Sequence, residues 1–297
     1  MKCDLCPRKC LVDRKKGEKG ICGQTENLKV ARAALHFWEE PCISGDAGSG
    51  AVFFSGCPLH CVFCQNENIA NGTVGKEIAL ERLVDIFLEL QEKRANNINL
   101  VTPGHFVPQI VKALDQARRE GLTLPVVYNT SSYETVDTIK MLEGYVDIYL
   151  PDFKYMSPVL SKKYSHAPDY AEVAKAAIAE MVRQTGKAVF VNGDEDNLIL
   201  SGTIVRHLTL PGCMADSMQI LKYLHETYGD MIYISIMNQF TPLSNLEKYP
   251  ELNRRITDEE YETLVDYAID IGIENGFIQE GNTAEESFIP AFDCEGV

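Results

Sequence analysis

Two hydrophobic periods alternate along most of the chain. Short apolar runs, too brief for helices and rich in β-branched and aromatic residues, recur at 51–55, 98–102, 125–129, 146–150, 203–210 and 231–237. They predict strands, and 188–191 predicts a short extra one. Between them, apolar positions fall three and four apart. Ile78, Leu80, Leu83, Val84, Phe87, Leu88 and Leu90 give 76–93 a helical stripe, and 107–120, 134–142, 169–184, 216–228 and 258–271 read the same way. Strand and helix in repeated succession imply a parallel sheet with right-handed crossovers. The main strands so connected predict an α/β fold, a partial, six-stranded (β/α)6 barrel of TIM-like kind over 51–297 that ends in a helix. Chemistry in such a barrel collects at the carboxyl ends of the strands.

The first fifty residues break the pattern. Residues 1–30 are rich in Lys and Gly and too poor in apolar side chains for a core of their own, so they fold most easily around a metal. Residues 31–50 end in Gly45-Asp-Ala-Gly-Ser-Gly50 and read as a linker loop into the first barrel strand.

Composition narrows the function classes. The 297 residues are 45% hydrophobic, enough for one catalytic domain with a small appendage. A net charge of -15 argues against a nucleic-acid surface, which needs clustered Lys and Arg. No apolar stretch reaches the roughly 18 residues of a membrane span, and the amino terminus lacks the apolar core of a signal peptide. Ten cysteines in such a chain point to metal ligation in a reducing, cytoplasmic setting rather than to disulfides.

Those cysteines fall in two groups. Cys57, Cys61 and Cys64, spaced Cys-x3-Cys-x2-Cys, follow the first barrel strand directly. Three thiolates in one tight loop can hold a 4Fe-4S cluster and leave one iron open. A zinc site completed by His60 is the competing reading, but His60 abuts Cys61 and is awkwardly placed to share an ion with it. Cys3, Cys6, Cys10 and Cys22 form the second group, and four thiolates suit either a structural zinc or a second iron-sulfur cluster. A lone cysteine such as Cys42 reads as a small buried hydrophobe. Cys213 and Cys294 carry no assignable role.

With Phe63 as the aromatic, the Cys-x3-Cys-x-aromatic-Cys loop resembles that of the radical S-adenosylmethionine (radical SAM) enzymes, and the chain looks closest to homologues of the pyruvate formate-lyase activating enzymes. The resemblance implies SAM bound at the open iron and cleaved by one electron to a 5′-deoxyadenosyl radical. It also implies site residues at the strand ends. Where those activators carry Gly-Gly-Glu, this chain has Thr102-Pro-Gly-His-Phe106, so the Thr102 hydroxyl and backbone around Gly104 are expected to receive the SAM ammonium group. Asn129 and Ser131 are expected at the ribose or carboxylate. Asp152 and Lys154 resemble the Asp-x-Lys of glycyl radical activators and are the expected catalytic pair, while Arg206 is suited to a carboxylate. His105 reads as a contact to SAM or substrate or as structural, His207 as structural, and Asn238 and Gln239 as candidates for the substrate end. The implied partners are a reductant such as flavodoxin or ferredoxin and a glycyl radical enzyme or other protein substrate, in an anaerobic setting. Other readings are modification of a different peptide, nucleoside or small molecule, or a non-catalytic iron-sulfur protein.

Overall fold

The computed structural model describes residues 2–194, 197–242, 246–279 and 290–297. Its strands are β1 (Leu28–His36), β2 (Ser49–Phe54), β3 (Lys76–Ile78), β4 (Ile98–Val101), β5 (Val126–Thr130), β6 (Ile148–Pro151), β7 (Val189–Phe190), β8 (Ile199–Leu208), β9 (Tyr233–Met237) and β10 (Gly276–Ile278). Its helices are α1 (Pro41–Ser44), α2 (Glu67–Ala70), α3 (Leu80–Glu92), α4 (Val107–Arg119), α5 (Val136–Lys140), α6 (Pro158–Ser165), α7 (Tyr170–Thr185), α8 (Met214–Tyr228) and α9 (Asp258–Asp270).

The sheet runs in the order β10-β9-β8-β6-β5-β4-β2-β1-β3, with β7 beside β8, and stays open. From β2 through β10 every neighbouring pair on that path is parallel, as the strand–helix alternation requires. Strands β2, β4, β5 and β6 are buried throughout, because helices cover one face and the barrel interior occupies the other. Outward-facing Val52, Phe54, Leu100 and Tyr128 pack with Leu83, Phe87, Ile110 and Leu114 of α3 and α4. Apolar residues of α7, α8 and α9 cover β8 and β9 in the same way.

The stretch 31–50 is not a linker loop. Its first part is the end of β1, which pairs antiparallel with β2 from Val30↔Phe54 to His36↔Ser49, and the rest holds α1 and the start of β2. Where the β1 register slips between Val30 and Arg32, the end of the chain fills in. Ala33 donates its amide to the Glu295 carbonyl (2.8 Å), Cys294 donates to that of Ala31 (3.0 Å), and Arg32 pairs with Asp293. Two smaller corrections concern helices. The stripe at 76–93 begins with β3, and α6, absent from the periodicity reading, starts from Ser157, whose hydroxyl accepts the Val159 and Leu160 amides ahead of Pro158 at the first helical position.

Helix α1 is a plug. Cys42 and Ile43 pack on Val127, Ile148, Leu150, Ile204 and Tyr233, the inward residues of the parallel strands. Asn96 and Asn97, just before β4, donate to the Ser44 and Ile43 carbonyls and so fix α1 at the amino end of the barrel. The two glutamates before it, Glu39 and Glu40, are thereby carried into the interior.

Residues 2–27 contain one 3-10 turn, Arg14–Lys16, and lie over loops at the carboxyl ends of the strands. Arg8 donates to the carbonyls of Pro58, Ser165 and His166 and sits over the Tyr133 ring. Buried Arg14 donates to those of Thr25 and His105, and the Thr138 hydroxyl donates to the Leu5 carbonyl (2.6 Å).

Candidate active site

The three-cysteine loop leaves β2 through Gly56, whose φ is +94° and where a Cβ would stand 2.5 Å from the Cys22 carbonyl. Only glycine lets the amino-terminal segment press this closely on the loop. The thiols are ringed by donors. The Leu59 and His60 amides point to Cys57, the Asn66 amide points to Cys64, and the Ser165 hydroxyl donates to the Cys61 sulfur (2.9 Å). Burial pushes Cys61 up to about 11 and Cys64 up to about 12 and raises Cys57, while the Lys154 ammonium opposes all three shifts. Lys154 therefore faces the loop. Phe63 is buried edge-on to Phe240, with centroids 5.9 Å apart. His60 turns away and donates to the Ile21 carbonyl (2.8 Å), which removes it from any ligand set with the three thiols.

Behind Lys154 lies a buried ionic network built from distant parts of the chain. The Lys154 Nζ bonds Asp152 Oδ2 (2.6 Å), and Arg206 bonds Asp152 Oδ1 (2.9 and 3.0 Å) and Glu39 Oε2 (3.0 Å). Asn129 accepts from Arg206 (2.6 Å) and donates to Glu39 (3.1 Å), and Asn99 also donates to Glu39. Burial alone would raise Asp152, but Lys154 and Arg206 outweigh it and hold the carboxyl below its ordinary range. Burial would likewise lower Lys154 and Arg206, and the facing carboxylates raise both. Glu40 is fully buried, which raises its pKa against the pull of Arg206.

The structure thus joins Asn129, Asp152, Lys154 and Arg206, and adds Glu39 and Glu40, which the sequence reading left in a loop. Arg206 spends its guanidinium on Glu39, Asp152 and Asn129. Ser131 lies close by, its carbonyl accepting the Tyr170 hydroxyl (2.9 Å), which also donates to the Asp152 carbonyl. Thr102, at φ +55°, donates its amide to the Asn129 carbonyl. Gly104 is set apart from the network, because a Cβ there would stand 2.9 Å from the Glu134 carboxyl, which is buried behind the sheet with Tyr128 and Thr130. His105 is buried and donates to the Ser55 carbonyl (2.6 Å), bracing the end of β2. His207 bonds the Phe153 carbonyl and the Ser217 hydroxyl on the outer side.

A family model described as the radical SAM superfamily matches residues 51–197, the part that supplies the three-cysteine loop and strands β2 through β6. These residues are a radical SAM domain. An uncharacterized protein of Methanocaldococcus jannaschii is 27% identical over 275 residues, covering 90% of this chain and 74% of its own. Streptococcus suis SuiB bound to S-adenosylmethionine superposes with a TM-score of 0.52 at 13% identity, over 76% of this chain and 49% of that one. A spore photoproduct lyase mutant with bound AdoMet and dinucleoside spore photoproduct gives 0.50 at 13% identity, over 76% and 74%. This chain spans about half the length of SuiB, and the likeness to both structures is one of fold, an open, mostly parallel α/β barrel.

A radical SAM domain implies a 4Fe-4S cluster and SAM, and the loop fits such a group. Its thiols are clustered, supplied with N–H and O–H donors, and faced by a fixed cation. Three thiols with no fourth protein ligand among the described residues suit a 4Fe-4S cluster with one open iron better than a closed four-coordinate zinc site.

Proposed function

We propose that Cys57, Cys61 and Cys64 hold a 4Fe-4S cluster whose open iron takes SAM, and that the protein is a radical enzyme abstracting hydrogen from a peptide segment of a partner protein. The cluster and SAM supply the chemistry, reductive cleavage to a 5′-deoxyadenosyl radical. The observation that carries the reading is the buried Lys154–Asp152–Arg206–Glu39 chain directed at a loop of three donor-ringed thiols.

Each residue then has a physical task. Lys154 sets a positive charge beside three thiolates, and Asp152 keeps that ammonium charged and aimed. Arg206 fixes Asp152, and Glu39 with Asn129 fixes Arg206. Phe63 and Phe240 exclude water from the floor of the loop, as a reactive radical requires. Asn129, Ser131 and Thr102 are the polar residues assigned to SAM in this reading. A peptide hydrogen donor, such as the glycine of a glycyl radical enzyme, is supported by Asp152-Phe-Lys154 and by Arg206 with Pro211-Gly212, which resemble segments of glycyl radical activators.

Anaerobically reconstituted protein reduced with dithionite is expected to form 5′-deoxyadenosine from SAM, and Cys64→Ala to lose this by at least about a thousandfold, since the group supplies essentially all of the rate. Electron paramagnetic resonance after incubation with a glycyl radical enzyme should show a glycyl doublet. Its absence with every partner, while 5′-deoxyadenosine still forms, would move the hydrogen donor to another class.

A further inference from the structure

Cys3, Cys6, Cys10 and Cys22 are the largest group of metal-binding side chains that this reading leaves unused. They share one pocket: a Cβ on Gly20 would stand 3.2 Å from the Cys10 sulfur and 3.4 Å from that of Cys22, and Cys6 feels the charges of the other three. They also repeat the local design of the SAM loop. The Arg8 amide points to Cys6 and the Gln24 amide to Cys22, two residues on, just as Leu59 serves Cys57 and Asn66 serves Cys64. Amides aimed at sulfur stabilise thiolates, the form that binds metal.

The two groups meet. Cys22 is buried against the SAM loop, close enough for its thiolate to repel that of Cys57, and its carbonyl touches the Gly56 position. Arg8 and Ser165 link them further, since Ser165 donates to the Cys61 sulfur and gives its carbonyl to Arg8. Cys3, Cys6 and Cys10 are half-buried. The surface around them is basic in an acidic protein. Lys2, Lys9, Lys15, Lys16 and Lys19 are all exposed, against a net charge of -15 for the chain.

We infer that Cys3, Cys6, Cys10 and Cys22 hold a second iron-sulfur cluster that relays electrons from an acidic one-electron carrier protein, docked on these lysines, to the cluster at Cys57, Cys61 and Cys64. The inference rests on the radical SAM reading of that loop. Zinc has no redox chemistry to offer at such a junction. The electron count is simple. One electron leaves the reduced carrier, resides on the outer cluster, and passes to the inner one without making or breaking a bond. It enters the SAM sulfonium as its C5′–S bond breaks, leaving methionine and a carbon radical.

The test compares full-length protein reconstituted anaerobically with ferrous iron and sulfide, its Cys3→Ser/Cys10→Ser variant and its Cys64→Ala variant. The expected iron content is about eight per chain in the first and about four in each variant. Reduced wild-type protein should show the split resonance of two interacting paramagnets, and each variant that of one cluster. Zinc at the amino terminus with about four irons elsewhere overturns the relay and leaves the radical SAM reading intact, whereas iron retained in full by Cys64→Ala sinks that reading and the relay with it. A surface variant, Lys15→Glu/Lys16→Glu, should raise KM for a reduced acidic 2Fe-2S ferredoxin about tenfold at low salt, with the dithionite-driven rate unchanged. An unchanged KM overturns the docking surface.

Discussion

Arg206 shows most directly how single residues hold this site together. Its guanidinium is largely withdrawn from water between Asp152 and Glu39, and a buried cation is tolerated only while its partners stay charged and in place. Asp152→Asn removes the shared acceptor of Arg206 and Lys154, so it should cost about 3 kcal/mol or more in denaturant-monitored stability and also shift the cluster's resonance spectrum by freeing Lys154. A loss below about 1 kcal/mol would mean that the network does not bear on the fold. The buried histidines set a second expectation. Burial lowers His105 to about 3 and His207 to about 4, so the fold keeps both neutral, whereas the unfolded chain binds their protons near pH 6.5. Stability from this source is complete above about pH 6.5 and is lost as pH falls toward the folded values, about 2 kcal/mol per histidine between pH 7 and 5. Urea midpoints at the two pH values measure it, and His207→Gln should remove about 2 kcal/mol of the wild-type loss. Stability that stays level down to pH 5 in the wild type would contradict the assignment.

At the scale of elements, what the sequence disclosed depended on how local the signal was. Strands β2, β4, β5 and β6 announce themselves because burial on both faces makes them short unbroken apolar runs, and α3, α4 and α7 because one covered face spaces their apolar residues at three and four. The spacing of Cys57, Cys61 and Cys64 was legible for the same reason, since it is confined to eight residues. Strand β1 was not. Its Leu-Lys-Val-Ala-Arg-Ala-Ala-Leu-His pattern is broken by alanines and by the register slip that the end of the chain fills, and that contact spans about the whole sequence. Glu39 and Glu40 were hidden likewise, since what makes them part of the site is Arg206, 167 residues away from Glu39. The one local hint was two adjacent acids ahead of a proline-started apolar turn. Helix α1 is the element that converts this hint into geometry, and Ile43→Ala, which opens a void among Val127, Ile148 and Ile204, should cost about 2–4 kcal/mol and loosen the Glu39–Arg206 contact. A melting temperature unchanged by that substitution would show that α1 is not the plug described.

Across the whole molecule the two cysteine groups and the ionic network form one arrangement about the carboxyl end of an open barrel, held from the amino end by the plug. The plug closes the amino end and sends Glu39 inward, the parallel strands deliver Asn129, Asp152 and Arg206 to one level, and the amino-terminal segment lies over the thiol loop through Arg8, His60 and the glycine at position 56. Among the described residues no helix is long and apolar enough to cross a membrane. Every role proposed for these residues depends on a single property, that the loop after β2 carries a cluster able to cleave SAM. The most direct measurement is quantitation of 5′-deoxyadenosine and methionine from full-length protein, reconstituted anaerobically with iron and sulfide and reduced with dithionite in the presence of SAM. Equal amounts of both products, abolished by Cys64→Ala, are the expected result, and protein that retains its iron at Cys57, Cys61 and Cys64 yet forms neither product would contradict it.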